Sequence, residues 1–486
     1  MSVKQRKIRK VLIANRGEIA LRIIRTVKEL DLEAIAVYEK PDSESNYIRS
    51  ADDAIMIGDR PRKEYLDIDK IIWAARKSEA DAIHPGYGFL SENADFSEAC
   101  EKAGIIFIGP PPQVIRDMGN KVVARGIMEQ AGVPTIPGTG DLAPGEAGAL
   151  QAKEFAEKYG YPLMLKAAAG GGGRGIRKIA NWEELKIQLP LVRAETRTAF
   201  NDDRIYIEKC IESPRHIEIQ ILADYHGNVI HLGSRDCSIQ RRHQKLLEIA
   251  PADLPPNVLE AMYDAAIKGA KQAGYVNAGT VEFLVDSKID EFWFMEMNTR
   301  LQVEHTVTEE LTGVDIVRQQ IRIAEGNVLD IPAERVHMLG KAVQVRINAE
   351  DPKNNFMPEG GKTLEVYHSP GGPGVRLDGV VYQGYRIPTD YDSLMVKMTV
   401  RGYNWEQTIQ RLKRSLNNFL IVGPKTTIPF YLAICDEPDF QAGKFDTSYL
   451  ETHQQLFDYP EQEREVAKLT KLIAEIHARA MNPYAY

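Results

Sequence analysis

Hydrophobic positions along this chain switch between a period of two and a period near 3.6, and the switches map its elements. Residues 10–14 read as a buried strand, 18–30 as a helix with Ile19, Ile23, Val27 and Leu30 on one face, and 34–38 as a second strand. Strands at 54–57, 80–84 and 105–108 and helices at 68–77 and 94–103 extend this unit into a parallel sheet flanked by helices, ending at Pro110-Pro-Pro112. A helical region follows over 114–130, then a Gly/Pro-punctuated stretch to Gly148, a helix, a strand at 161–167, the tract Gly170-Gly-Gly-Gly-Arg-Gly175 and a strand at 176–179. Residues 204–233 and 279–297 are strand-rich around a helix at 256–273, which predicts a mixed sheet. After Pro332 come short strands at 342–347, 362–366 and 393–400, a helix at 405–419 and a last helix at about 461–480.

Length and composition narrow the class. At roughly 150 residues per domain, 486 residues make about three globular units, and 43% hydrophobic with 27% charged residues is an ordinary folded composition. No apolar run approaches the ~18 residues that cross a bilayer. The basic start Lys4 to Lys10 leads only into Val11 to Ala14, too short for a signal-peptide core, so a cytoplasmic protein is expected. Cys100, Cys210, Cys237 and Cys435 form no CxxC pair and read as reduced thiols. With 61 Lys plus Arg against 69 Asp plus Glu the net charge is -8, so no broad field draws the chain to nucleic acid or an anionic membrane; any anion site is local.

The first strand–helix turn, Asn15-Arg-Gly-Glu18, holds one glycine, not the GxGxxG of a dinucleotide fold, even though Glu39 stands where a ribose-binding acid would; a scaffold role is expected. The tract Gly170 to Gly175 is followed by Ile176-Arg177, not the Lys-Ser/Thr of a Walker A loop. Strand, glycine loop and strand then describe a flap whose amides fold over phosphate oxygens, with Lys166 adding a point charge; the alternative is a plain hairpin tip.

The most informative segment is a hairpin of residues 279–286 and 292–298. If Asp286 opposes Phe292, the same register sets Glu282 against Glu296 on one face. Like charges directly opposite repel. A cation between them, with Asn298 as a further oxygen donor, resolves this, and such hard ligands suit Mg²⁺; a solvated edge strand is the alternative. If residues 298–304 are extended, Asn298, Arg300, Gln302 and Glu304 line one side of a trough. Arg300 can then hold a carboxylate-like substrate and Glu304 remove its proton. Arg241, Arg242, His243 and Lys245 concentrate positive charge in an acidic chain, either as a local anion site or as surface charge.

Together these residues closely resemble the biotin carboxylase family, the ATP-grasp component of biotin-dependent carboxylases. The matching blocks are residues 13–20, 84–93, the glycine tract, 235–245 and 296–305, within a likeness covering about residues 6–450. The resemblance implies an α/β and α+β architecture: an N-terminal Rossmann-like (preATP-grasp) subdomain at 1–115, an ATP-grasp region at 116–330 with a glycine-rich lid at about 135–205, a C-terminal biotin carboxylase subdomain at 331–450, and a helical extension at 451–486. It implies phosphorylation of bicarbonate by ATP to carboxyphosphate and carboxylation of biotin, with Mg²⁺ or Mn²⁺. By likeness, Lys121, Lys166, Gly172, Gly173, Glu208, Lys209, Ile211, His216, Gln240, His243, Glu282 and Glu296 match ATP-binding positions, and Glu282, Glu296 and Asn298 match metal ligands. Lys245, Arg300, Gln302 and the Val303 backbone match bicarbonate positions, Glu304 the base, and Arg346 the arginine beside the biotin enolate oxygen.

Two departures stand out. Ala169 precedes four glycines where the family often has five. No Ala/Val-Met-Lys-Met segment is present and the sequence ends at Tyr486, so a separate biotin carrier protein and carboxyltransferase subunit are expected, with a homodimer implied by the family. Val466, Leu469, Ile473 and Ile476 form a stripe that either packs on its own domain or docks a partner. Another ATP-grasp ligase, or a nucleotide-binding subunit without turnover, remains open. So does the final carboxyl acceptor: acetyl-CoA, propionyl-CoA, pyruvate or 2-oxoglutarate.

Overall fold

Short strands apolar on both faces need helices on both sides, and the first part of the chain supplies them. Strands β1 (Lys10–Ile13), β2 (Glu33–Glu39), β3 (Asp53–Gly58), β4 (Ala82–His84) and β5 (Ile106–Phe107) are all parallel, in the order β3-β2-β1-β4-β5. The structure, a computed structural model, describes residues 5–168, 175–200, 202–286, 288, 290–332, 336–460 and 473. Gly172, Gly173 and the expected helix at about 461–480 lie outside the described residues, apart from Ile473.

The helical region expected over 114–130 is made of two helices, Pro112–Gly119 and Lys121–Gln130. Asn120 between them is extended, and its side chain accepts from the N–H groups of Val122 and Val123, restarting the helix with a cap. A small antiparallel sheet follows, β7-β6-β8, from β6 (Leu163–Ala167), β7 (Ile176–Ile179) and β8 (Ile205–Lys209). Leu163, Leu165, Ile179, Ile205 and Ile207 pack it on Phe155, Leu185 and Val192 of the helices Glu146–Tyr159 and Trp182–Phe200.

The remaining strands are β9 (Arg215–Ala223), β10 (Val229–Asp236), β11 (Gln240–Arg241), β12 (Gln244–Lys245), β13 (Leu247–Ala250), β14 (Asn277–Asp286), β15 (Glu291–Asn298), β16 (Lys341–Asn348), β17 (Glu350–Asp351), β18 (Met357–Pro358), β19 (Val366–His368), β20 (Val375–Gly379), β21 (Leu394–Gly402) and β22 (Leu420–Val422). Eight of them form one sheet, β15-β14-β9-β10-β13-β16-β21-β20. Every pairing in it is antiparallel, not mixed as expected, because hairpins such as β9–β10 and β14–β15 build it. The strand expected at 362–366 forms at Val366–His368, where β22 offers a partner.

Alternation gives this sheet two unlike faces. In β9, Ile217, Ile219 and Ile221 point to the core covered by helix Pro256–Gln272, whereas His216, Glu218 and Gln220 point the other way. The polar face is buried as well, under helix His305–Thr312. Thr306 of that helix donates to Gln344 at 2.5 Å, and Arg235 donates to Thr308 at 2.9 Å. A buried polar face is tolerated only when its groups are paired.

Candidate active site

Cross-strand register writes a row of charges across the polar face. Glu296, Glu282, Glu218 and Arg235 are successive partners on β15, β14, β9 and β10, and Arg346, Lys397 and Asp378 are successive partners on β16, β21 and β20. Glu282 does oppose Glu296, but by another route than the regular hairpin expected. Asp286 pairs with Glu291, not Phe292, and a bulge between Glu282 and Phe283 restores the register. The cause is a phase conflict: Phe294 pairs with Phe283 in the core, so a regular strand would put Glu296 there too, and the extra Met295 turns the acid to the polar face.

Lys245 stands at the centre, at the end of a tight ribbon whose turn residues Arg242 and His243 both have positive φ. Its Nζ is 2.7 Å from Glu218, 2.8 Å from Glu282 and 2.8 Å from Glu304. Burial alone would lower this ammonium's pKa, but the three carboxylates hold it well above the usual lysine value. Burial likewise pushes Glu304 up; Lys245 and Arg346 outweigh it and leave the carboxyl below its ordinary range, ionised at neutral pH. Glu304 Oε2 lies 3.3 Å from Arg346, whose Nε donates to Glu248 at 2.9 Å.

The segment after β15 is not extended as expected. It bends at Arg300 and turns at Val303 and Glu304 into helix His305–Thr312, because the buried Leu301 and the helix start fold it back over the sheet. Its polar side chains converge nonetheless. Arg300 donates to Gln302 at 2.9 Å, to Asn298 at 3.1 Å and to Glu92 at 2.8 Å, and Gln302 and Asn298 both donate to Glu282, at 3.0 and 2.7 Å. Gln240 donates to His216 Nδ1 at 2.6 Å and His216 Nε2 to Glu282 at 2.6 Å, a chain that orients the carboxylate. Burial would raise the pKa of Glu282, yet Lys245 and His216 hold it far below the carboxylate range.

Of the other residues expected to bind nucleotide, two lysines form ion pairs near this cluster. Lys166 pairs with Glu208 across β6 and β8 at 2.5 Å, and Lys121, at the capped helix start, pairs with Glu296 at 3.3 Å. Lys209 and His243 are exposed and Ile211 is half-buried; none of the three has a side-chain contact to the Lys245 cluster. Glu282, Glu296 and Asn298 share one face and offer only hard oxygens besides the Asn298 amide nitrogen, a donor set that fits Mg²⁺. Glu39 is buried, accepting from the N–H groups of Arg62 and Glu64 at 2.8 and 2.9 Å and from Tyr391, which agrees with the scaffold role.

Sequence reasoning missed Glu218, Glu248 and Glu92, the carboxylates that hold Lys245, Arg346 and Arg300. For Glu218 a signal existed: His216, Glu218 and Gln220 alternate with isoleucines, so the residue two beyond a chosen histidine shares its face.

Comparison with known proteins identifies the family. Residues 7–115 match the family model "Biotin carboxylase, N-terminal domain", 120–332 "Carbamoyl-phosphate synthase L chain, ATP binding domain" and 344–452 "Biotin carboxylase C-terminal domain". The chain is 49% identical over 448 residues to Biotin carboxylase 1 of Bacillus subtilis, covering 92% of this chain and 99% of that protein. It is 48% identical over 473 residues to the 2-oxoglutarate carboxylase small subunit of Hydrogenobacter thermophilus, covering 96% and 99%. It is also 47% identical to Pyruvate carboxylase 1 of Caenorhabditis elegans, of which it spans 40%. The biotin carboxylase domain dimer of the Hydrogenobacter thermophilus enzyme, solved with MgADP, ADP and bicarbonate, superposes with a TM-score of 0.90 at 48% identity, covering 94% of this chain and 100% of that one. Fold and site together define an ATP-grasp ligase. The chain belongs to the biotin carboxylase family.

Proposed function

We propose that this chain carboxylates the ureido N1 of biotin on a carrier protein, using ATP and bicarbonate. The observation that carries this reading is the meeting of Lys245, Glu304 and Arg346 beside the Glu282–Glu296–Asn298 face. A bicarbonate oxygen attacks the γ-phosphorus of ATP, ADP leaves, and the resulting carboxyphosphate breaks down to CO₂ and phosphate. Lys245, Arg300, Gln302 and the Val303 backbone hold the bicarbonate, and Glu304, ionised and shielded from bulk water, takes its proton. The released phosphate takes the N1 proton of biotin, Arg346 faces the biotin oxygen and stabilises the charge that develops there, and N1 then attacks the CO₂ carbon to form the N–C bond. Glu282, Glu296 and Asn298 would hold Mg²⁺ or Mn²⁺, which when bound would supply positive charge against the phosphates. Lys121, Lys166, Glu208, Lys209, Ile211, His216, Gln240 and His243 line the nucleotide site, with Gly172 and Gly173 covering the phosphates.

We assign residues 1–115 to the Rossmann-like unit, 116–330 to the ATP-grasp unit, 331–450 to the C-terminal unit and 451–486 to an extension. The relatives that are subunits of larger carboxylases support a biotinylated carrier, a carboxyltransferase and a second copy of this chain as partners, in the cytoplasm. Among the described residues no helix is long and apolar enough to cross a membrane.

Incubation with MgATP, bicarbonate and free biotin tests the reading. Phosphate release that needs bicarbonate and rises with biotin supports it; release that needs an amine points to another ATP-grasp ligase, and tight ATP binding without release to a regulatory subunit. Arg346→Ala is expected to slow biotin carboxylation far more than it weakens ATP binding, and equal loss of both would count against the assigned role.

A further inference from the structure

Lys397 lies on β21, has no solvent exposure, and is absent from the roles above. Its Nζ donates to the Val303 carbonyl at 3.0 Å and sits 3.1 Å from Glu18, at the head of helix Gly17–Glu29 in the first domain. Tyr87, after β4, donates to the same Glu18 carboxylate and turns its ring toward the ammonium, 5.6 Å away. One side chain therefore joins the first helix of the N-terminal region, the last strands of the large sheet and the turn that carries the base.

The position of that carbonyl matters. The Val303 C=O belongs to the peptide that leads into Glu304, so fixing its oxygen fixes the backbone from which the Glu304 carboxylate springs. The preceding carbonyl, of Gln302, is held in the same way by His305 Nδ1 at 2.7 Å. With both carbonyls tied from behind, the side chains of Gln302 and Glu304 are left to face Glu282, Lys245 and Arg346. Neutralising Glu18 would need only the ion pair, and a buried ion pair is a weak source of stability. The reach to Val303 is the part that neutralisation does not explain.

We infer that Lys397 is a positioning residue: through the Val303 carbonyl it sets the place of Glu304 and of the bicarbonate-facing turn. This rests on the carboxylation reading above. A misplacement of about 1 Å at a reacting group costs roughly 10²-fold in rate.

The test compares Lys397→Met, which keeps the stem and removes the donor, with the double variant Glu18→Gln/Lys397→Met, which also removes the orphaned carboxylate. In both, KM for ATP is expected to stay within about twofold while kcat/KM for bicarbonate falls roughly 10²-fold. The double variant is expected to recover the melting temperature of the wild type without recovering the rate, a split that a merely structural lysine would not give. Backbone amide exchange over residues 302–307 is expected to quicken about tenfold or more in both variants, a readout that needs no turnover. Full bicarbonate kcat/KM in either folded variant, rate recovery in the double variant, unchanged amide exchange, or failure of both variants to fold overturns the inference. A wild type that releases no phosphate with bicarbonate and biotin sinks the carboxylation reading instead, and the exchange measurement still decides whether Lys397 holds the turn.

Discussion

At the scale of single residues, the site is a set of charges whose protonation is fixed by neighbours. Glu304 is kept ionised chiefly by Lys245, against its own burial. Lys245→Gln is therefore expected to lower kcat/KM for bicarbonate by roughly 10²-fold or more and to move the acid limb of the pH–rate profile to higher pH, because burial then acts on Glu304 with one cation fewer. His84 supplies a second titration. Burial lowers its pKa to about 3, and its Nδ1 accepts the N–H of Gly86 at 3.0 Å. The unfolded chain binds this proton near pH 6.5 and the folded one does not, so stability falls as pH drops below that value, by up to about 1.4 kcal/mol per pH unit. His84→Asn keeps an acceptor and loses the titration; it is expected to cut the loss between pH 6.5 and pH 5 by about 2 kcal/mol, measured by denaturant unfolding at the two pH values. The facing of Glu282 and Glu296, with Asn298 two residues on, was legible from residue type and spacing. Glu248, a lone acid in an apolar strand, and Glu92, in a turn after β4, were not, because neither position hints that a distant arginine will meet it; Glu218 was overlooked although its alternation with isoleucines marked its face.

Among elements, the departures came from local geometry that periodicity averages away. Phe292, Phe294 and Met297 are spaced by two and then three, which is the mark of the Met295 bulge, but alternation over the whole strand hides one extra residue. The turn at Val303 and Glu304 was hidden for a like reason, since Leu301 and Val303 alternate with polar neighbours whether extended or folded back. Asn120 divides a region whose helical pattern runs straight through it. Because this cap presents Lys121 toward Glu296, Asn120→Ala is expected to lower stability by about 1 kcal/mol and to raise KM for ATP, as read by denaturant unfolding and steady-state kinetics.

For the whole molecule, the parallel sheet was legible from its helix–strand alternation, whereas the antiparallel sheet was not, because β16 joins β13 across more than ninety residues. Strand β16 pairs with β13 from Leu247↔Val345 to Ala250↔Ala342, so residues matched by two different family models share one sheet. Those parts are expected to unfold together. Variants retaining only Trp293, on β15, or only Trp405, in the helix after β21, should give coincident fluorescence transitions in denaturant, while one retaining Trp182, on the small sheet's helix, should unfold at lower denaturant. A chain cut after residue 332 leaves β13 as a bare apolar edge and is expected to aggregate, as light scattering would show.

Tyr391 carries a mechanical consequence. Its ring lies 3.7 Å from the Arg16 guanidinium and its hydroxyl reaches Glu39, so the seam between the first and last regions is riveted at the back. Among the described residues the three-stranded flank shares no strand ladder with either larger sheet. Breathing of the fold is therefore expected on that side, while the floor beneath Lys245 and Glu304 is expected to stay still.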